Sequence, residues 1–234
     1  MKRFAVLILT GILLLTLAGC GNSGNASSGL TEESKTSEKA NNTSASTDSD
    51  GNNSTENTEG SSKMLVAYFS LAGEQYGVGV IEEGNTSIIA HMIAEQTGAD
   101  LFEIKAVNPY PTSHSELLDV SRKEMSDGAR PEIADTVDNM DDYDTVFIGY
   151  PNWWGDMPMI VYNFLESYDL SGKTIVPFCT HGGSGLSGTE STIRNITGGT
   201  MADGFAIAGT TAQNDRDTAK NEVTEWLREG GFVE

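Results

Sequence analysis

The sequence is poor in cysteine, in basic residues and in long apolar runs, and each shortage narrows its chemistry. Two cysteines, Cys20 and Cys179, occur in 234 residues. Two cysteines allow at most one disulfide, so any folded part must rest mainly on its core. Lys and Arg number 14 against 34 Asp and Glu, a formal net charge of −20. From Met64 onward the balance is 27 acidic to 9 basic residues, a net of −18. Nucleic acid requires a basic footprint, so this argues against it as a partner. The same balance disfavours docking of that part on an anionic membrane surface. No Lys or Arg stands between Lys63 and Lys105. A phosphate-binding loop of the NTPase type would need its lysine there. The three histidines, His91, His114 and His181, show no metal-ligand spacing, and no metal is expected. The apolar run from Phe4 to Leu17 is too short to span a bilayer comfortably.

What is present falls into three parts. Lys2 and Arg3 precede that apolar run, and Leu17-Ala18-Gly19-Cys20 follows it, the layout of a signal peptide. The Leu-Ala-Gly-Cys ending resembles the bacterial lipobox. The resemblance implies that residues 1–20 are a lipoprotein leader, that Cys20 becomes lipidated, and that the mature protein sits on the outer face of a bacterial membrane. Residues 21–62 contain no aromatic residue and one large aliphatic, Leu30. Such a segment cannot bury enough apolar surface to order itself and reads as a linker. Its 42 residues give a reach of roughly 35 Å. Residues 63–234 have the length and composition of one domain. Within it Cys179 sits in an apolar run and reads as a small core residue.

In the domain, apolar runs alternate with helical patterns. Strands are predicted at Met64–Phe69, Leu101–Ile104, Thr145–Tyr150, Thr174–Cys179 and Gly204–Ala208. Helices are predicted at Asn85–Thr97 with Gly98 as C-cap, and at Ser113–Ser126, Pro158–Tyr168, Leu186–Ile196 and Asp215–Arg228. This alternation predicts an α/β fold, a doubly wound five-stranded parallel sheet of order 2-1-3-4-5 with helices on both faces. In that order ligands bind outside the carboxyl ends of the strands, where the first and third are neighbours.

Three segments should meet there. The first begins at Ser70 and reaches a helix at Gly84-Asn85-Thr86-Ser87, where a helix N-terminus with hydroxyl and amide side chains suits an anion bound without cations. The alternative is an ordinary N-cap at Asn85 or Thr86. The second is Pro151-Asn152-Trp153-Trp154-Gly155-Asp156. Two adjacent tryptophans in a loop suit a wall for a flat aromatic ligand, or else a packing element. The third is Thr180-His181-Gly182-Gly183-Ser184-Gly185, where glycines let the backbone approach a ligand closely. His181 is there a ligand contact, a proton donor or a plain loop residue.

Together these segments resemble the flavodoxin-like family, across residues 63–234. Gly84-Asn85-Thr86 is similar to the family's phosphate loop, Trp154-Gly155-Asp156 to the loop whose tryptophan stacks on the isoalloxazine, and Thr180-His181-Gly182-Gly183 to its third flavin loop. The resemblance implies FMN as cofactor. It implies contacts from Ser70, Gly84, Asn85, Thr86, Pro151, Asn152, Trp153, Trp154, Gly155, Thr180, His181, Gly182, Gly183 and Gly185, and it favours Trp154 over Trp153 as the stacking residue. One departure stands out: Leu71–Glu83 is inserted between Ser70 and Gly84. It is expected to fold over the flavin as a small lid, with Tyr76 as a candidate contact.

Two other motifs weigh less. Gly183-Ser184-Gly185-Leu186-Ser187-Gly188 matches the dinucleotide pattern GxGxxG, but a lone match after a fourth strand is weak. His181-Gly182-Gly183 lacks the G-x-S-x-G nucleophile turn that a hydrolase would need. The expected function is electron transfer or flavin-dependent reduction at the outer face of the membrane. An NAD(P)H-dependent quinone-type reductase and a flavin-binding module without turnover are the alternatives. The sequence leaves catalysis and the redox partner open.

Overall fold

The computed structural model of the chain describes residues 62–234. The leader ending at Cys20 and the polar linker, Ser62 apart, lie outside the described residues. The chain enters on strand β1 (Met64–Tyr68), whose run of apolar residues is buried from Leu65 on. A hairpin follows, β2 (Gly73–Gln75) paired antiparallel with β3 (Gly79–Ile81). Then come helix α1 (Asn85–Thr97), β4 (Asp100–Glu103) and α2 (His114–Asp127). A short 3-10 turn at Met140–Asp142 leads into β5 (Thr145–Pro151) and α3 (Met159–Glu166). The remainder is β6 (Thr174–His181), α4 (Thr189–Thr197), β7 (Thr200–Met201), β8 (Phe205–Ala208), α5 (Gly209–Asn214) and α6 (Arg216–Glu229).

The main sheet runs β4-β1-β5-β6-β7, all pairs parallel, with β8 also paired to β6. Counting the main strands in chain order, this is the expected 2-1-3-4-5. The fifth strand is split, and the break has a local cause. Thr174 and Ile175 of β6 pair with β7, and pairing resumes only at Phe178 with β8. Between them stands Pro177, which has no N–H to give the ladder. Its ring also crowds Gly204, where an added Cβ would lie 3.0 Å from Pro177 Cγ.

Alternate residues of each strand serve two cores. Leu65, Ala67, Val146, Ile148 and Ile175 pack with Ile160, Val161, Phe164 and Leu165 of α3 and Ile193 of α4. Val66, Tyr68, Phe147, Val176 and Phe178 pack with Ile89, Ala90 and Ile93 of α1 and with Ala219, Val223, Trp226 and Leu227 of α6. Gly149 shows how tight the sheet is: a Cβ there would lie 2.1 Å from the ring of Phe178, its partner on β6. Helix α1 begins and ends where its pattern predicts, with Gly98 in the left-handed conformation (φ 73°) and its N–H on Ala94 O. Its cap is Gly84, not Asn85 or Thr86. Helix α4 starts three residues later than predicted, after Ser187 and Gly188 in left-handed conformations. The short α5 was not predicted.

Candidate functional site

The carboxyl ends of β5 and β6 open into a cavity of about 570 Å³. That is an ordinary size for a small-molecule or cofactor site. Around it stand the hairpin tip (Gln75, Tyr76), the start of α1 (Asn85), one face of α2 (His114, Leu117, Leu118, Ser121), and the loops after β5 and β6. From the β5 loop come Pro151, Asn152, Trp153, Trp154 and Gly155, and from the end of β6 and its loop Thr180, His181, Gly182 and Ser184. Gly209, at the start of α5, completes the lining. Among the described residues no Lys or Arg lines it, and no His, Cys, Asp and Glu cluster suits a metal.

The two tryptophans have different jobs. Trp153 turns into the core, edge-on to Phe69 (5.6 Å, 87°) and to Tyr110 (5.6 Å, 75°). Trp154 stays 44% exposed. Its backbone is left-handed (φ 58°), which Gly155 after it shares (φ 82°). The indole N–H donates to Ser121 Oγ (3.0 Å), and the guanidinium of Arg122 sits 4.2 Å from the ring centre. Helix α2 thus fixes the indole as a wall, with a cation against the ring.

Asn152 ties the second loop to the third. Its amide donates to Gly185 O (2.8 Å) and Ser187 Oγ (3.0 Å), while its oxygen accepts the Gly155 N–H (3.0 Å). Cys179 is wholly buried and gives its thiol hydrogen to the same Gly185 O (3.2 Å). Burial pushes that thiol up to about 12, so it stays protonated and unreactive. His181 Nδ1 accepts the Gly183 N–H (2.9 Å), and burial holds the imidazole below its usual value.

In the first segment, Ser70 reaches across the insertion to serve α1. Its Oγ accepts the Ser87 N–H (3.0 Å), the bond a side-chain N-cap would otherwise accept. Gly84 has to be glycine here by proximity, since a Cβ would lie 2.2 Å from Ser70 Oγ and 2.5 Å from Leu71 O. The Thr86 hydroxyl pairs with that of Thr180 (2.8 Å), both residues buried, and so pins α1 to β6. Asn85 alone of this segment lines the cavity, and its Oδ1 is buried with no partner among the described residues.

Of the expected contacts, Asn85, Pro151, Asn152, Trp153, Trp154, Gly155, Thr180, His181 and Gly182 surround the cavity. Ser70, Gly84, Thr86, Gly183 and Gly185 are not among the residues that line it. The insertion is a hairpin whose Tyr76 ring rests on Gly182, where a Cβ would lie 2.8 Å from it. The α2 face, Gln75, Ser184 and Gly209 were not anticipated. The α2 residues did leave a signal, their i, i+3, i+4, i+7 spacing.

Comparison with known proteins agrees with this geometry. A flavodoxin family model matches residues 63–229. No curated protein matches the chain. A candidate flavoprotein of Bacteroides eggerthii is 31% identical, with 73% of this chain and 99% of that one covered and a TM-score of 0.58. One from Bacteroides uniformis is 31% identical over 71% and 98% of the two chains, at 0.57. A flavoprotein of Lactobacillus acidophilus, solved in complex with FMN, shares the fold at 22% identity, over 64% and 95%, at 0.50. With the strand order, the cavity at its switch point and a family match over most of the described residues, this chain belongs to the flavodoxin family.

Proposed function

We propose that the domain binds FMN in this cavity and works in electron transfer or flavin-dependent reduction, tethered by a lipidated Cys20 to the outer face of the membrane. The observation that carries the reading is Trp154, a half-exposed indole held on a left-handed backbone by Ser121 and Arg122 at the mouth of a cofactor-sized cavity. An exposed, fixed aromatic face is costly in water and suits a flat aromatic ligand. The donor set fits the rest of the molecule. The first N–H groups of α1 have no intrahelical partner. Ser70 takes that of Ser87, which leaves that of Asn85, the one residue of this segment on the cavity, for a phosphate at the positive end of the helix. The unpaired Asn85 Oδ1 awaits a hydroxyl or N–H, and a flavin carries both.

A bound flavin supplies one- and two-electron chemistry. The chain supplies position and field. Trp154 covers a ring face, the hairpin and Tyr76 limit access to water, and Asn152 keeps the two loops in register. Arg122 places a positive charge against the indole, against the acidic field of the domain. A titration of the purified protein with FMN and with riboflavin tests the reading. FMN should bind and riboflavin bind far more weakly. Equal affinities would refute the phosphate site, and no binding of either would refute the flavin reading.

A further inference from the structure

Two buried side-chain polar atoms among the described residues lack a hydrogen-bond partner: Asn85 Oδ1 and His114 Nδ1. Both residues line the same cavity. Unpaired buried atoms are rare, because each forfeits its hydrogen bonds to water and gains none in return. Two of them meeting in one cavity point to a ligand that pairs both. Asn85 belongs to the strand-end segments, but His114 comes from elsewhere, as the first residue of α2.

The inserted hairpin holds it there. The His114 backbone N–H donates to Glu74 Oε2 (3.1 Å), and the Tyr76 ring lies 6.3 Å from the imidazole. Glu74 is itself fastened, its N–H on Thr112 O (2.8 Å). Next to it Gly73 (φ 96°) lies so close to Thr112 that a Cβ would be 2.7 Å from the same carbonyl oxygen. From His114 to Ser121, which holds Trp154, the lining face of α2 rises about 10 Å at 1.5 Å per residue. That is about the length of a fused three-ring system lying along the helix.

We propose that His114 is a cofactor-contacting residue, its Nδ1 hydrogen-bonding a polar edge of the flavin, and that the inserted hairpin serves to position it. The inference rests on the FMN reading above. A neutral imidazole nitrogen donates or accepts according to tautomer, so it serves a ring carbonyl or a ring N–H equally.

The test compares His114→Phe and His114→Asn in the full chain, by FMN titration and by melting of the ligand-free protein. His114→Phe should bind FMN about tenfold more weakly, the loss of one buried hydrogen bond. Its ligand-free melting temperature should equal or exceed that of the wild type, because the substitution removes an unpaired buried atom. His114→Asn, whose amide returns a polar atom near Nδ1, should recover binding to within about threefold. Opposite signs in binding and stability are what a contact residue gives and a structural residue does not. Wild-type affinity in His114→Phe overturns the proposal and leaves the FMN reading standing. So does a melting loss that matches the binding loss. Failure of the wild type to bind FMN overturns both.

Discussion

Substituting the two tryptophans separates the wall of the site from its foundation. Trp153 is packed edge-on between Phe69 and Tyr110, beside the core. Removing a large aromatic from such a place costs about 3 kcal/mol, the low end for a side chain that is only partly buried. At roughly 2–4 °C per kcal/mol for a domain of this size, Trp153→Ala should melt roughly 6–12 °C lower. Trp154 makes one hydrogen bond, to Ser121, worth about 1 kcal/mol, and one cation–π contact, with Arg122, worth about 0.5–1 kcal/mol. Its backbone sits at φ 58°, where a residue with a Cβ is strained by about 1–2 kcal/mol. Trp154→Gly loses the contacts and relieves the strain, so the terms nearly cancel and the melting temperature should stay within about 4 °C of wild type. The ring is what FMN would miss. Stacking on an aromatic side chain is worth about 2 kcal/mol, so Trp154→Gly should bind FMN roughly thirtyfold more weakly. Apo-protein melting and FMN fluorescence titration read the two quantities independently. If Trp154→Gly binds like wild type while Trp153→Ala loses binding at unchanged stability, the roles argued here are reversed.

Three further outcomes are expected. Thr86→Val leaves the buried Thr180 hydroxyl unpaired and should cost about 1–3 kcal/mol in denaturant unfolding, most of it recovered in Thr86→Val/Thr180→Val; equal stabilities for single and double variants would show that the pair carries no weight. Burial lowers the His181 imidazole below its ordinary 6.5, so the unfolded chain takes up its proton first and stability should fall as pH drops below about 6.5. His181→Gln should flatten that slope, and an unchanged slope would place its origin elsewhere. Cys20→Ala should release the protein from membranes or block its processing; unchanged fractionation with an unshifted mature mass would remove the lipid anchor from the reading.

The sheet was legible because buried parallel strands are continuous apolar runs, as at Met64–Phe69 and Thr145–Tyr150. Helix α1 was legible to the residue because Gly84 and Gly98 bracket an unbroken pattern. The errors lie where a local signal was overruled by a distant partner. Ser70, 17 residues away, supplies the cap bond that the alternative reading gave to Asn85 or Thr86, and this frees Gly84 for the cap position. The split of the fifth strand was written at Pro177, on the strand beside it. The hairpin carried its turn signals in Gly73, Gly77 and Gly79, all at positive φ, but strands of three residues have too little alternation to show a period.

The α2 face marks a harder limit. His114, Leu117, Leu118 and Ser121 stand at helical spacing, and spacing tells which side of a helix turns inward. It does not tell whether inward means core or cavity. Here it means both: Leu117 is 4% exposed, while Leu118, one residue on, is 36% exposed at the cavity rim. A core face rarely tolerates an unpaired nitrogen, and on a cavity face such a nitrogen lies where a ligand can reach it. So His114, whose Nδ1 has no partner among the described residues, carries more information than the leucines beside it. That information becomes readable only once the fold has shown that no neighbour among the described residues satisfies its Nδ1.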